Sequence, residues 1–284
     1  MGDRASSTID APSHEARALT ISVGDAHLLV DGLSSDLRQR LRNLLRPFVT
    51  RSSPGAIRVQ VRPAQGGAGW SVVSVGQAMQ TFGAPDELLG YLEWFAISQA
   101  LGAITNHVAF HAAALTREGA TILIVGKSGA GKTTLTLGLM GRGWRPLSDD
   151  LVLVDPATLA LKPFPRCFHL DNSTRELIAN SVSLEWPGGI LGYARPTEYA
   201  REAPSPTAIF VAHRCPTCMA ARMPLTQAEG AGGLLAEAAN TQVPASNVAL
   251  TAARLAAGAA CYQLKNGPLD GSLNMIERAI HRKG

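Results

Sequence analysis

The sequence predicts an α/β protein that carries a small α+β lobe at its N-terminal end. Three observations predict it. Residues 121–125, Thr-Ile-Leu-Ile-Val, form a short continuous run rich in β-branched side chains, the pattern of a strand buried on both faces. A glycine-rich loop follows at once, and then a helical pattern with Leu135, Leu139 and Met140 on one side, which Gly141 and Gly143 stop. Before this core, residues 18–107 read as short alternating strands and helices.

The 284 residues suffice for one large domain or two modest ones, and 46% hydrophobic with 17% charged residues is the composition of an ordinary globular protein. Twenty-six Lys and Arg against 22 Asp and Glu give a net charge of +4. That excess suits an anionic ligand or an acidic peptide, but without a dense basic stripe it falls short of a nucleic-acid binder. The four cysteines, Cys167, Cys215, Cys218 and Cys261, are too few and too scattered for a disulfide framework, so a reducing compartment is expected. Residues 1–13 are polar and lack the apolar core of a secretory signal. No apolar run approaches the length of a membrane span. A cytoplasmic protein with no membrane partner is the expectation.

Residues 1–17 are small, polar and charged, and read as a flexible tail. Alternation at Leu19, Ile21 and Val23, then at Leu28 and Val30, predicts a hairpin turning at Gly24-Asp25. Ser35 is placed to cap a helix over 36–46, with Leu37, Leu41, Leu44 and Leu45 on one face, and Pro47 stops it. Strands are expected around Ile57–Val61 and Val72–Val75, and a long helix from Pro85 to about residue 105. Residues 18–107 thus form one lobe, a candidate peptide-recognition element by elimination, and 108–284 the second domain. Towards the C-terminus the pattern gives Ala-rich helices at 225–240 and 246–259, a strand at 262–264 and a closing helix at 270–282. No internal repeat is present.

The loop after the buried strand reads Gly126-Lys127-Ser128-Gly129-Ala130-Gly131-Lys132-Thr133, which fits the P-loop pattern G-x-x-x-x-G-K-[ST] in the strand–loop–helix context the motif requires. The glycines let backbone N–H groups turn inward onto phosphate oxygens, and the positive end of the following helix faces the same anion. Lys132 supplies a point charge for the β- and γ-phosphates, and the Thr133 hydroxyl suits Mg²⁺. Gly126, Ser128, Gly129, Ala130, Gly131, Lys132, Thr133 and Thr134 are therefore the candidate nucleotide-binding residues, with ATP and Mg²⁺ as cofactors. Further on, Ser148-Asp149-Asp150 precedes the apolar run 151–154. If this pair is extended, its two carboxylates face opposite ways and take different tasks, one towards a metal ion and one towards an incoming hydroxyl. His111 lies in the apolar stretch 110–115 beside the P-loop strand, where an imidazole can orient a carboxylate or carry its proton.

Together, His111, the loop 126–133 and Asp149-Asp150 resemble the catalytic domain of the HPr kinase/phosphorylase family, in order and approximate spacing. The stretches FHAAAL, GKSGAGKTT, GWRPLSDDLVLVD and KPFPR are most similar to HPr-kinase-related enzymes that phosphorylate a serine of lasso-peptide precursors. The likeness covers residues 108–284 and is specific over 108–166. It implies a central sheet flanked by helices and a serine kinase acting on a precursor peptide. It further implies Asp149 as the base that takes the hydroxyl proton, His111 as its support, and Asp150 with Thr133 at the metal. Ala112 stands where that family has glycine, and its later Gly-rich acidic signature is not found, departures that count against HPr itself as substrate and against the reverse reaction. A small-molecule hydroxyl kinase, or an ATPase or switch without a phosphoacceptor, are the alternatives. A carboxylate where an acceptor base is needed favours a kinase.

Arg166, in Pro163-Phe164-Pro165-Arg166, is a further candidate for a phosphate. Residues 181–206, rich in Pro and Gly, read as either a mobile lid or plain connection, with a lid favoured. Asp171-Asn172-Ser173 reads as a helix cap. His213, Cys215 and Cys218 offer only three zinc ligands with no second pair, and read as ordinary thiols beside a histidine. Homo-oligomerisation is left open by the sequence.

Overall fold

The computed structural model describes residues 18–23, 26–51, 55–178, 182–189, 192–239 and 242–280. The chain separates into two compact units, residues 1–96 and 97–284. The division falls inside the long helix, earlier than the boundary at 107/108 that the sequence suggests.

The first unit contains β1 (Leu19–Val23), β2 (Ala26–Asp31), α1 (Ser35–Leu44), β3 (Val49–Thr50), β4 (Ile57–Pro63), β5 (Trp70–Ser74), β6 (Gln80–Phe82) and the start of α2 (Pro85–Ala103). Its six-stranded sheet has the order β3-β1-β2-β4-β5-β6, with β2 and β4 parallel and the other neighbours antiparallel. The β1–β2 pairing is the expected hairpin; its turn at Gly24-Asp25, like the N-terminal tail, lies outside the described residues. Alternate residues Leu19, Ile21, Val23, Leu28, Val30, Val59 and Val61 are buried. Helix α1 is capped by Ser34 rather than Ser35, since the Ser34 hydroxyl accepts the Leu37 amide at 3.3 Å. The chain then tightens into one 3₁₀ turn at Arg46–Phe48. Gly32 sits at φ 85°, and a side chain there would strike the Val61 carbonyl oxygen.

The second unit runs β7 (Val108–Phe110), β8 (Ala112–Arg117), β9 (Ala120–Val125), α3 (Lys132–Met140), β10 (Arg145–Ser148), β11 (Val152–Val154), β12 (Leu161–Lys162), β13 (Phe168–His169) and α4 (Asn172–Ile178). It continues with β14 (Leu184–Glu185), β15 (Tyr193–Pro196), β16 (Ala208–Arg214), β17 (Ala221–Pro224), α5 (Gln227–Leu235), α6 (Ala245–Gly258), β18 (Ala260–Asn266) and α7 (Leu269–Ile280). The main sheet has the order β10-β8-β9-β16-β18-β17. Its middle strands β9, β16 and β18 are parallel, and β8, β10 and β17 join antiparallel. Ile122 and Ile124 of β9 belong to a core with Leu135 and Leu139 of α3 and Leu273 and Ile276 of α7. Leu123 and Val125 belong to the opposite core, with Leu234 of α5 and Val248 and Leu255 of α6. Helices cover both faces of the sheet, which is why β9 is apolar without alternation. This is an α/β unit with mixed sheets; small sheets β12-β11-β7 and β13-β15-β14 complete it.

The segment expected to be a lid is largely fastened down. β15 pairs with β13 and β14, the Ala200 amide donates to Pro146 O at 2.8 Å, and Ala203 bridges Leu161. Of its breakers, Pro187, Gly188 and Gly189 form one 3₁₀ turn and Pro196 ends β15. Among the described residues, no helix is long and apolar enough to cross a membrane.

Candidate functional site

The loop between β9 and α3 owes its path to glycine. Gly126, Gly129 and Gly131 have φ values of 155°, 80° and 91°, which L side chains rarely adopt. A Cβ on Gly126 would strike the Ala212 carbonyl oxygen in β16, and one on Gly131 would strike the Asn266 side-chain nitrogen at the end of β18. The Asn266 amide also donates to Ala130 O at 2.9 Å, so the loop is pinned to its neighbouring strand. Lys132 lies across the loop and its Nζ donates to Gly126 O at 2.6 Å. Helix α3 begins at Lys132 with no side-chain cap on its first amides, the condition for an anion site.

The Asp149-Asp150 pair sits in a bend between β10 and β11, not in an extended strand. Ser148 Oγ accepts the amides of Asp150 at 3.3 Å and Leu151 at 3.0 Å, which turns the chain sharply. The two carboxylates part company there. Asp149 is 3% exposed, and its Oδ2 accepts the Thr133 hydroxyl at 3.0 Å. Burial above all, and then the Asp150 charge, pushes its pKa up to about 7, against the pull of Arg166 and the Thr133 bond. Asp150 is far more open: Arg166 Nη1 donates to its Oδ2 at 2.7 Å, and His111 Nδ1 lies 3.9 Å from its Oδ1. His111 reaches this position because the chain changes sheets there, between β7 and β8.

A cleft of about 840 Å³ opens at the carboxyl ends of the parallel strands, the place where α/β sheets bind ligands. Ser128, Gly129, Gly131, Lys132, Thr133 and Thr134 line one wall, and His111 and Asp150 another. Gly126 and Ala130 lie beneath as buried supports. The pairing differs from the one the family resemblance implies, because His111 attends Asp150 while Asp149 is joined to Thr133. Arg166, expected at a phosphate, is held at Asp150 and is not among the lining residues. The reading of Cys215 and Cys218 as ordinary thiols is overturned: the two form a disulfide, which also removes them as zinc ligands. Among the described residues, no group of three or more His, Cys, Asp or Glu is arranged to hold a metal.

Three residues of the site escape the motif. Asn266 ends β18, Arg214 ends β16, and Thr174 in α4 shares a hydroxyl contact of 3.1 Å with Thr134. The ends of the strands at 208–214 and 260–266 are the places to look once a parallel sheet is assumed. Asp171 caps α4 as expected, accepting the Thr174 amide at 2.7 Å, but it also lines the cleft.

No protein-family model matches this chain, and no curated protein matches it.

Proposed function

We propose that this chain is a Mg·ATP-dependent kinase of the HPr-kinase type that phosphorylates a serine hydroxyl on a peptide or protein, with a ribosomally made lasso-type precursor as the preferred substrate. One observation carries the reading: Lys132, Thr133 and Asp150 open onto a single cleft, while Thr133 is tied to a buried Asp149. The residues fit the nucleotide. The glycine cradle has no room for side chains at Gly126 and Gly131, the first amides of α3 are uncapped, and a cationic Lys132 crosses the loop.

Bound Mg·ATP would supply the transferable phosphoryl group and the neutralising cation. Lys132 and the loop amides would hold phosphate oxygens. Thr133 and Asp149 would hold the cation, which suits Mg²⁺ because that ion takes one or two protein oxygens and completes its shell with phosphate and water. Asp150, rather than Asp149, is then the residue able to meet an incoming hydroxyl, since it faces the cleft. It would take the proton that the serine oxygen gives up, and His111 could carry it to solvent. Arg166 fixes the other Asp150 oxygen and so orients the base.

The test is to incubate the protein with Mg·ATP and serine-containing precursor peptides and to follow peptide mass. Addition of one phosphoryl group to the peptide is expected. ATP hydrolysis indifferent to every peptide would point to an ATPase instead, and a phosphorylated metabolite without phosphopeptide would point to a small-molecule kinase.

A further inference from the structure

We propose that the Cys215–Cys218 disulfide is a thiol switch on the glycine loop, with Asn266 as the positioning residue that connects the two. Its consequence for nucleotide binding rests on the kinase reading above; the coupling itself does not.

Strands β16 and β17 flank β18 on its two sides, parallel and antiparallel respectively. Residues 215–220 must therefore arch over the end of β18 to connect them. The disulfide closes the first part of that arch, where the Cys218 amide also donates to Cys215 O at 3.1 Å. The end of β18 runs directly beneath. A Cβ on Gly267 would collide with the Cys218 carbonyl oxygen and come within 2.9 Å of the Ala220 nitrogen, so only glycine passes under the arch. The Cys215 amide donates to Asn266 O at 3.0 Å.

Asn266 thus has two attachments. Its backbone oxygen is held by the stapled arch, and its side-chain amide holds Ala130 O at 2.9 Å in the loop. The same amide lies where a Gly131 side chain would project. Arg214 and Pro216 at the foot of the arch, and Asn266 and Gly267 beneath it, also line the cleft. The path from disulfide to glycine loop therefore contains one residue. Both cysteines are half-buried, within reach of a small dithiol, and neighbouring Met219 is 83% exposed.

The chemistry balances as a two-electron exchange. A dithiol reductant gives two electrons and two protons, the Sγ–Sγ bond breaks, two thiols form, and the reductant leaves as its own disulfide. Opening the staple frees the arch, loosens the Cys215–Asn266 bond and lets Asn266 release the loop. The oxidised state keeps the loop ordered, which favours an anion by preorganisation.

Hydrogen exchange on the full chain, oxidised and after dithiothreitol, tests the coupling, with thiol titration confirming reduction and a parallel Mg·ATP titration. Reduction should speed exchange at 215–220 and also at 128–131, and weaken Mg·ATP binding severalfold, reversibly. The double variant Cys215→Ser/Cys218→Ser should match the reduced protein under both conditions. Asn266→Ala should leave exchange at 215–220 responsive to redox state while 128–131 becomes fast in both. Complete reduction with unchanged exchange at 128–131 would overturn the switch. A redox response at 128–131 without any nucleotide binding would uphold the coupling and instead remove the kinase reading.

Discussion

In the folded protein Asp149 keeps its proton to about pH 7, whereas its ordinary value is 3.8. Because the folded pKa is raised, the stability this group contributes is fully present below about pH 4 and is lost as pH climbs through about 7. Thermal melts in chelator should show wild type losing stability over that window. Asp149→Asn should flatten the dependence and be the more stable protein at pH 8, while losing any Mg²⁺ dependence of ATP binding. The neighbouring carboxylate should behave differently. Asp150→Asn should bind Mg·ATP nearly as wild type does and lower phosphoryl transfer by about 10²–10⁴-fold, the usual worth of a general base. Wild-type turnover in Asp150→Asn, measured by peptide mass, would return the base to Asp149. The adjacent pair is visible in the sequence; the division between them is not, because Ser148 and Thr133 set it through a turn and a hydrogen bond.

At the level of elements, β9, its glycine loop and α3 form a unit whose backbone is dictated locally. Gly131→Ala places a Cβ at φ 91° and against Asn266. It should cost about 1–2 kcal/mol for the left-handed backbone alone, and it should weaken nucleotide binding beyond that by displacing the amide that holds Ala130. Isothermal titration and thermal melts separate the two effects. Helix α5 offers a contrast, since Thr226 and Glu229 form a reciprocal capping box there. Thr226→Ala should lower stability by about 1 kcal/mol in denaturant titration and leave nucleotide affinity unchanged. The sequence places this helix but says less about its ends. Similarly α1 begins one residue early because Ser34, not Ser35, presents its hydroxyl to the first turn. Adjacent serines are alike in pattern, and only the backbone angle chooses between them.

Across the whole second unit, the last helix is tied back to the sheet by charge as well as by apolar contact. Glu277 of α7 accepts Arg117 of β8 at 2.8 Å and Arg142 after α3 at 2.8 Å. Burial opposes its ionisation, but Arg142 and Arg117 outweigh it and hold the carboxyl below its usual range. A depressed folded pKa contributes stability above the unfolded value, lost as pH falls through the folded one. Glu277→Gln should therefore lower stability by about 1–3 kcal/mol at pH 7, and the gap from wild type should close in melts taken at acid pH.

The sequence by itself determined the strand–loop–helix, the α/β class of the second unit and the place of the glycine loop between β9 and α3. Those features follow from apolar runs, glycine conformations and spacings within a few neighbours. Only the tertiary structure decided that Thr133 meets Asp149, that His111 faces Asp150, and that Asn266 and the Cys215–Cys218 arch support the loop. Such contacts depend on which strands lie side by side. The parallel order of β9, β16 and β18 is set by the packing of two helical layers on one sheet, a global choice that no local periodicity records.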